Sequence, residues 1–189
     1  MIIITGPKHC GKTVVGRTLQ TLMAYKFTDL DEFIEKQTGK NVREIFKCGA
    51  DVFRNEELSA LKTILDIYEN EPQLIVSAGG GIIDNDSAME LLSRRLKPGN
   101  HQLKNKISFV YLEVSAETAW ERIVEKSKEL GTLPPFLDTE NPKETHRLLH
   151  NRRAQLYKKC AELIVDCENK SVNLIAGEIK KFLLMMNER

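Results

Sequence analysis

The sequence predicts a three-layer α/β/α protein, in which a mostly parallel β-sheet is covered by helices on both faces. Short segments rich in β-branched and aromatic residues alternate with longer segments of helical periodicity. Strands that are joined through helices form right-handed crossovers and therefore pair in parallel. A glycine-rich stretch also lies between the first strand and the first helix, at the edge where such sheets bind ligands.

Five segments have the composition of buried strands, and seven have the spacing of apolar residues that is typical of helices. The predicted strands are 1–5, 25–28, 73–77, 107–113 and 162–165. The predicted helices are 12–23, 31–38, 51–68, 85–95, 116–129, 143–160 and 171–186. The apolar stripe of the last helix, from Val172 to Met186, indicates packing against the sheet.

The chain length of 189 residues predicts a single domain that spans residues 1–189. Two stretches interrupt the pattern of strands and helices. Residues 96–106 are polar and contain Pro and Gly, which indicates a surface insertion. Residues 129–142 contain three prolines and one glycine, so a continuous helix is not expected there. A loop of that length in a compact domain is either functional or disordered.

Charge and hydropathy argue against two classes of partner. The chain has 28 basic and 27 acidic residues, whereas affinity for nucleic acids depends on a surplus of Lys and Arg. No apolar run approaches the ~20 residues needed to cross a bilayer, and the N-terminal run is too short for a signal peptide. We therefore expect no nucleic-acid partner and no membrane association.

Cysteine and histidine spacing predicts neither disulfides nor a metal site. No two of the cysteines have C-x-x-C spacing, so we expect free thiols in a reducing cytoplasm at Cys10, Cys48, Cys160 and Cys167. His146 and His150 are spaced to share a helix face, as in the H-E-x-x-H motif of metalloproteases. The glutamate of that motif is absent here.

The stretch from Gly6 to Thr13 has the G-x-x-x-x-G-K-T spacing of a phosphate-binding loop, between a predicted strand and a predicted helix. Backbone N–H groups of such a loop, together with the helix dipole, hold a polyphosphate. Lys12 is expected to reach the terminal phosphates, and Thr13 to offer its hydroxyl to Mg²⁺. The predicted nucleotide-binding residues of the loop are Gly6, Pro7, Lys8, His9, Cys10, Gly11, Lys12 and Thr13.

Two carboxylates follow the second predicted strand. Asp29 fits the role of a helix N-cap, whose side-chain oxygen accepts a hydrogen bond from a free backbone N–H group. A helix needs only one capping side chain, so this role does not explain Asp31. A phosphotransferase needs one carboxylate near Mg²⁺ and another to orient or deprotonate the attacking hydroxyl. Both interpretations of Asp29 stay open at this point.

Three further motifs are candidates for a second ligand. Arg54 follows Phe53 on a predicted helix and is either a surface cation or a ligand-binding group. Gly79–Gly81 directly follow an apolar strand, which indicates a flexible turn or a close backbone approach to a ligand. Arg152 and Arg153 are adjacent and point to different faces of a helix, so one of them can turn inward. Arginine can grip a planar carboxylate through two parallel hydrogen bonds.

In this order and at these intervals, the phosphate loop, D-x-D, G-x-x-x-F-R, G-G-G and R-x-x-x-Y resemble shikimate kinase. The resemblance runs from Met1 to about Asp166 and includes connecting stretches such as "FTDLDEFIEKQTGKNVREIF" and "LYKKCAELIVD". It implies a P-loop domain of the nucleoside-monophosphate-kinase type, with a five-stranded parallel sheet and a mobile lid at about 129–142.

The resemblance also implies roles for individual residues. Lys12 and Thr13 would serve ATP and Mg²⁺, and Asp29 would hold the metal through water. Asp31 would bind the ring hydroxyls near the attacking oxygen, which makes Lys12 and Asp31 the expected catalytic residues. Arg122 would lie against the adenine. The shikimate-binding residues would be Asp31, Arg54, Glu57, Gly79, Gly80, Gly81 and Arg153.

The sequence departs from the family pattern at three places. The family lid usually carries an arginine followed by Pro and Leu residues, whereas residues 132–137 read TLPPFL. His9 stands where the family tends to have glycine, and Ala78 where it tends to have threonine. A cation on the transferring phosphate contributes orders of magnitude in rate, so we expect either slower turnover or a substitute cation. The substitutes considered are Lys126, Lys128 and Arg147.

These observations predict a cytoplasmic, monomeric enzyme that phosphorylates shikimate with ATP, giving shikimate 3-phosphate for aromatic amino-acid (chorismate) biosynthesis. One alternative is a kinase of another small hydroxy acid, such as gluconate, which a panel of acceptors would separate. The other alternative is a non-catalytic nucleotide-binding homologue, motivated by the lid without arginine. That homologue would bind ATP without releasing ADP in response to an acceptor.

Overall fold

The computed structural model describes residues 1–70, 73–96 and 107–187. Five strands of these residues form one parallel sheet with the order β2-β3-β1-β4-β5. The strands are β1 (Ile2–Thr5), β2 (Lys26–Asp29), β3 (Leu74–Ser77), β4 (Ser108–Glu113) and β5 (Leu163–Asp166). In the central register, Ile3 lies opposite Val76 on β3 and Phe109 on β4. The predicted five-stranded parallel sheet is confirmed.

Eight α-helices lie in the described part of the chain. They are α1 (Lys12–Met23), α2 (Leu30–Thr38), α3 (Val42–Lys47), α4 (Ala50–Asn70), α5 (Asp86–Leu96), α6 (Ala116–Leu130), α7 (Pro142–Cys160) and α8 (Val172–Asn187). Short 3-10 helices occur at Ile82–Asp84 and Pro135–Leu137. The seven predicted helices are confirmed, with ends displaced by at most two residues.

Helix α3 was not predicted. It begins after Asn41, whose side chain accepts a hydrogen bond from the Glu44 backbone N–H at 2.9 Å. The Glu44 carboxylate in turn accepts from the Asn41 N–H at 3.1 Å, which completes a capping box. Six residues are too few to show helical periodicity, so only the N-x-x-E signal at 41–44 could have identified this helix.

The sheet separates two apolar cores because successive side chains of a strand point to opposite faces. On β1, Ile3 belongs to the core beneath α2, α4 and α5, whereas Ile2 and Ile4 belong to the core beneath α1 and α8. Burial on both faces explains why the three central strands β1, β3 and β4 are largely apolar, whereas the edge strands β2 and β5 are partly exposed. Helix α8 packs against α1 and β5 through this second core, which confirms the predicted role of its apolar stripe.

The carboxyl ends of the parallel strands meet at one edge of the sheet and position the site. The phosphate loop follows β1, Asp29 ends β2, and the three glycines follow β3. Among the described residues, no helix is long and apolar enough to cross a membrane. The four cysteine thiols are free. Apart from Leu96, the predicted 96–106 insertion lies outside the described residues.

Candidate active site

A cavity of about 680 Å³ opens where β1, β2 and β3 end. Its walls come from the phosphate loop, α3, the start of α4, the glycine turn, the 3-10 helix Pro135–Leu137 and the middle of α7. Most of the predicted site residues line it, namely Pro7, Lys8, His9, Gly11, Lys12, Thr13, Asp29, Asp31, Arg54, Glu57, Gly79, Gly80, Gly81 and Arg153. Three predicted site residues do not line the cavity, namely Gly6, Cys10 and Arg122.

The phosphate loop has a tightly constrained backbone. Gly6 adopts a φ of 149°, and a Cβ there would lie 2.7 Å from both the Cys10 sulfur and the Leu112 carbonyl oxygen. Only glycine therefore fits at this position. His9 adopts a φ of 61°, a left-handed conformation that costs an ordinary side chain about 1–2 kcal/mol. The glycine that the family pattern has at this position is thus explained by backbone conformation.

The Lys12 side chain lies across the phosphate loop. Its ammonium group donates hydrogen bonds to the carbonyl oxygens of Gly6 at 3.0 Å and Pro7 at 2.8 Å. These charge-assisted bonds hold the ammonium at the loop, and the residues at the start of α1 also line the cavity. The arrangement is a suitable cradle for a polyphosphate.

Asp29 caps helix α2, which confirms the N-cap interpretation, and its second carboxylate oxygen is held by Thr13. One carboxylate oxygen caps α2 by accepting from the Asp31 and Glu32 backbone N–H groups at 3.1 and 3.4 Å. The other accepts a hydrogen bond from the Thr13 hydroxyl at 2.6 Å. A hydroxyl and a carboxylate beside a phosphate cradle fit Mg²⁺, which takes oxygen ligands and usually retains several waters.

Asp31 lies between the phosphate loop and the glycine turn. Burial and the nearby Asp29 carboxylate raise the pKa of Asp31, and the positive charges of Lys12 and Lys8 act in the opposite direction. A carboxylate with a raised pKa is a better proton acceptor near neutral pH than an ordinary aspartate. Asp31 thus places a carboxylate with a raised pKa on the wall of the cavity.

The three glycines after β3 each approach a different part of the protein itself. A Cβ on Gly79 would lie 3.2 Å from Asp31 Oδ1 and 3.4 Å from Glu57 Oε1. A Cβ on Gly80 would lie 3.1 Å from the Gly6 carbonyl oxygen, and one on Gly81 would lie 3.3 Å from the Arg153 guanidinium. Backbone packing therefore disfavours a side chain at Gly80, whereas a side chain at Gly79 or Gly81 would displace the ends of charged side chains that line the cavity.

We expect Gly80→Ala to weaken nucleotide binding about tenfold. The added methyl group would press on the backbone at Gly6 and Lys8, and overpacking of this kind costs about 1–3 kcal/mol. Calorimetry with ADP measures the effect. Gly177→Ala is the matched control because a Cβ there meets no atom within 4 Å, so nucleotide affinity should not change. Equal ADP affinity in both variants would contradict the prediction.

Arg153 faces the cavity and Arg152 faces solvent, with exposed side-chain fractions of 22% and 54%. Asp84 forms hydrogen bonds with both arginines. One of its carboxylate oxygens accepts a hydrogen bond from Arg152 at 2.8 Å, and the other accepts one from Arg153 at 2.8 Å. The Arg153 guanidinium also lies over the Phe136 ring, 5.9 Å from its centroid. Asp84 and Phe136 are therefore positioning residues for Arg153, and sequence reasoning missed both of them.

Arg54 and Glu57 enter the cavity from α4. Arg54 pairs with Asp51 at 2.6 Å near the solvent. Glu57 is only 1% exposed, and its Oε2 accepts a hydrogen bond from the Asn85 side chain at 2.9 Å. Its Oε1 has no hydrogen-bond partner among the described residues, and burial raises the pKa of Glu57 to about 7. Asn85, which also donates to the Arg54 carbonyl, is another positioning residue that sequence reasoning missed.

Two histidines of α7 also line the cavity. His146 is 5% exposed, and its ring lies 5.6 Å from both the Trp120 and His150 rings. Burial lowers the pKa of His146 to about 4, and the positive charges of His150 and Arg153 contribute in the same direction. Near neutral pH His146 is therefore uncharged.

Acidification should destabilise the protein through His146. An unfolded histidine binds a proton below about pH 6.5, whereas the folded His146 resists protonation until about pH 4. The free energy of unfolding therefore falls, by about 1–3 kcal/mol, as the pH drops from 6.5 towards 4. Urea unfolding gives the free energy of unfolding of wild type and of His146→Gln at pH 7.5 and at pH 5. The difference between the losses of the two proteins is the contribution of His146, because the other titrating groups are present in both. Parallel losses in both proteins would contradict it.

Comparison with known proteins identifies the family. Residues 8–184 match the family model of shikimate kinase, described as "SKI: Shikimate kinase". The chain belongs to the shikimate kinase family. Relatives from Thioalkalivibrio sulfidiphilus and Dictyoglomus turgidum are both 31% identical, over 99% and 89% of this chain and 88% of each relative. A solved shikimate kinase from Acinetobacter baumannii in complex with shikimate is 27% identical, with a TM-score of 0.80 over 100% of this chain and 94% of that one.

Arg122 and the three candidate lid cations do not belong to the lining of the cavity. Arg122 lies outside the cavity, and its guanidinium contacts the His9 carbonyl oxygen at 3.4 Å. None of the three lysine and arginine substitutes considered for the lid lines the cavity. Lys126 pairs with Glu129 and Arg147 pairs with Glu144, both on exposed faces of their helices. Of the three, Lys126 lies near enough to the phosphate loop that its charge helps burial to lower the pKa of His9.

Proposed function

We propose that this protein phosphorylates shikimate with ATP and releases shikimate 3-phosphate and ADP. The observation that carries the proposal is one shared cavity. The phosphate loop with Lys12 lies on one side of it, and Arg54 and Arg153 lie on another. Asp31 lies between the phosphate loop and the glycine turn that reaches Arg153. A phosphate donor and an acidic, hydroxylated acceptor can therefore meet in it.

ATP would bind with its phosphates on the N–H groups of the loop and on the Lys12 ammonium. Thr13 and Asp29 would hold Mg²⁺, which supplies charge neutralisation to the phosphates. Lys12 would exchange its bonds to the Gly6 and Pro7 carbonyls for bonds to phosphate oxygens. Arg122 would reach the nucleotide from α6, next to the loop.

Arg153 would grip the shikimate carboxylate through two parallel hydrogen bonds, with its orientation fixed by Asp84 and Phe136. Arg54 would leave Asp51 and close on the same carboxylate, since an exposed ion pair is worth at most about 1 kcal/mol. Glu57 would support this pocket from beneath. The backbone of Gly79, Gly80 and Gly81 would form its floor.

Asp31 would orient the attacking hydroxyl and accept its proton during the transfer. Phosphoryl transfer depends mainly on positioning and electrostatic stabilisation, so a carboxylate that fixes the hydroxyl in line with the phosphate suffices. Pro134, Pro135 and Phe136 would close over the reacting groups and exclude water, which suppresses hydrolysis of ATP. The product would serve aromatic amino-acid biosynthesis, and we expect a cytoplasmic monomer.

A coupled assay of ADP release with and without shikimate tests the proposal. We expect ADP release that depends on shikimate and on Mg²⁺. A panel with gluconate and other hydroxy acids separates a kinase of another acceptor, which the family match does not favour. Nucleotide binding without acceptor-dependent ADP release would instead support a non-catalytic homologue and overturn the proposal.

A further inference from the structure

The cavity contains two basic side chains that the proposed function has not yet used. Five Lys and Arg residues of the described chain line it, namely Lys8, Lys12, Arg43, Arg54 and Arg153. Three of these have oxygen partners within the protein. The side chains of Lys8 and Arg43 have no hydrogen-bond or salt-bridge partner among the described residues. An inward-facing arginine without a carboxylate partner is available to an anionic ligand.

Arg43 projects from a short helix whose position is fixed. Its helix, α3, is closed at the N-terminus by the capping box of Asn41 and Glu44. On the other side Ile45 is buried in the core, and the Phe46 ring lies 6.0 Å from the ring of Phe53. These contacts anchor the helix that carries Arg43 at the wall of the cavity.

Arg43 lies beside both the phosphate loop and the segment that lacks an arginine. Helix α3 packs against the 3-10 helix Pro135–Leu137 of the 129–142 segment. Arg43 is also near enough to the loop that its charge helps burial to lower the pKa of Lys8 and the pKa of His9. Three cations, Lys8, Lys12 and Arg43, thus surround one side of the cavity, and their mutual repulsion favours a bound anion.

We propose that Arg43 contacts the terminal phosphate of the bound nucleotide and replaces the arginine that the family lid usually supplies. This inference rests on the proposed function and identifies the cation that the 129–142 segment lacks. A guanidinium matches phosphate oxygens through two parallel hydrogen bonds, and Lys8 adds a point charge nearby.

Arg43 exchanges no atoms during the transfer. The bond from the terminal phosphorus to the bridging oxygen of ADP breaks, and a bond from the same phosphorus to the acceptor oxygen forms. The acceptor proton passes to Asp31. Arg43 stabilises the negative charge on the three remaining phosphoryl oxygens while these bonds change, which is the role of cationic side chains in phosphoryl transfer generally.

The test compares Arg43→Gln and Arg43→Lys with wild type and with Arg147→Gln. Arg147 is the matched control because it is an exposed arginine that pairs with Glu144 outside the cavity. Calorimetry measures affinity for ADP and for a non-hydrolysable ATP analogue in the presence of Mg²⁺. The coupled assay with shikimate measures kcat.

In Arg43→Gln, we expect the preference for the ATP analogue over ADP to fall at least tenfold, with ADP affinity unchanged. The kcat should fall about 10²–10³-fold. Arg43→Lys should recover part of both losses, and Arg147→Gln should match wild type. An unchanged preference for the ATP analogue, or a kcat within threefold of wild type, overturns the inference. If wild type shows no shikimate-dependent turnover, the proposed function fails, whereas the nucleotide preference still decides the role of Arg43.

Discussion

Asp31→Asn should lower kcat for shikimate phosphorylation by about 10²–10⁴-fold, the contribution typical of a positioned proton acceptor. The amide has the shape of the carboxylate but cannot accept the hydroxyl proton. Affinity for ATP should remain within a fewfold of wild type because the phosphate loop, Thr13 and Asp29 are untouched. Thermal stability should not fall, since the substitution removes repulsion between Asp31 and the nearby Asp29.

Glu32→Gln is the matched control for Asp31→Asn. Glu32 follows Asp31 on α2, and its side chain pairs with Arg17 in an exposed salt bridge of 2.8 Å. Loss of such a pair costs at most about 1 kcal/mol of stability, so kcat should stay near the wild-type value. Steady-state kinetics with saturating ATP and shikimate measures both variants. A kcat for Asp31→Asn within tenfold of wild type would show that Asp31 is not the proton acceptor.

The layout of the fold could be predicted from sequence because each of its signals is local. Strands buried on both faces are continuous apolar runs, and the longer helices show their apolar stripes directly. Helix α3 was missed since six residues contain fewer than two turns. Asn41 and Glu44 begin this helix through two reciprocal hydrogen bonds. In the sequence these bonds appear only as an N-x-x-E pattern, which is a weaker signal than periodicity.

The site was predictable where a residue acts through its own type and spacing, as in the phosphate loop. The positioning residues were not, because their roles come from contacts between distant parts of the chain. Asp84 orients Arg153, which is 69 residues away in sequence. Asn85, which follows the glycine turn in sequence, likewise donates a hydrogen bond to the distant, buried Glu57. The position of Arg43 on the cavity wall depends on α3, so missing that helix also hid the residue.

Arg153→Ala should weaken shikimate binding by 30-fold or more while sparing ATP. Removing one partner of a buried, hydrogen-bonded ion pair costs about 2–5 kcal/mol, and here the acceptor carboxylate would lose its main partner. Arg153→Lys should recover little of this loss, because an ammonium cannot form two parallel hydrogen bonds with a carboxylate. Calorimetric titration with shikimate and, separately, with an ATP analogue measures both affinities.

Arg152→Ala provides the decisive control because Arg152 and Arg153 share Asp84 as a partner. Both substitutions disturb the same carboxylate, but only Arg153 lines the cavity. If Arg153 binds the acceptor directly, Arg152→Ala keeps shikimate affinity within a fewfold of wild type. If the two variants lose shikimate affinity equally, or if Arg153→Ala loses ATP as severely as shikimate, the arginine only stabilises the glycine turn. The acceptor carboxylate would then have to be held by Arg54 alone, from a more exposed side of the cavity.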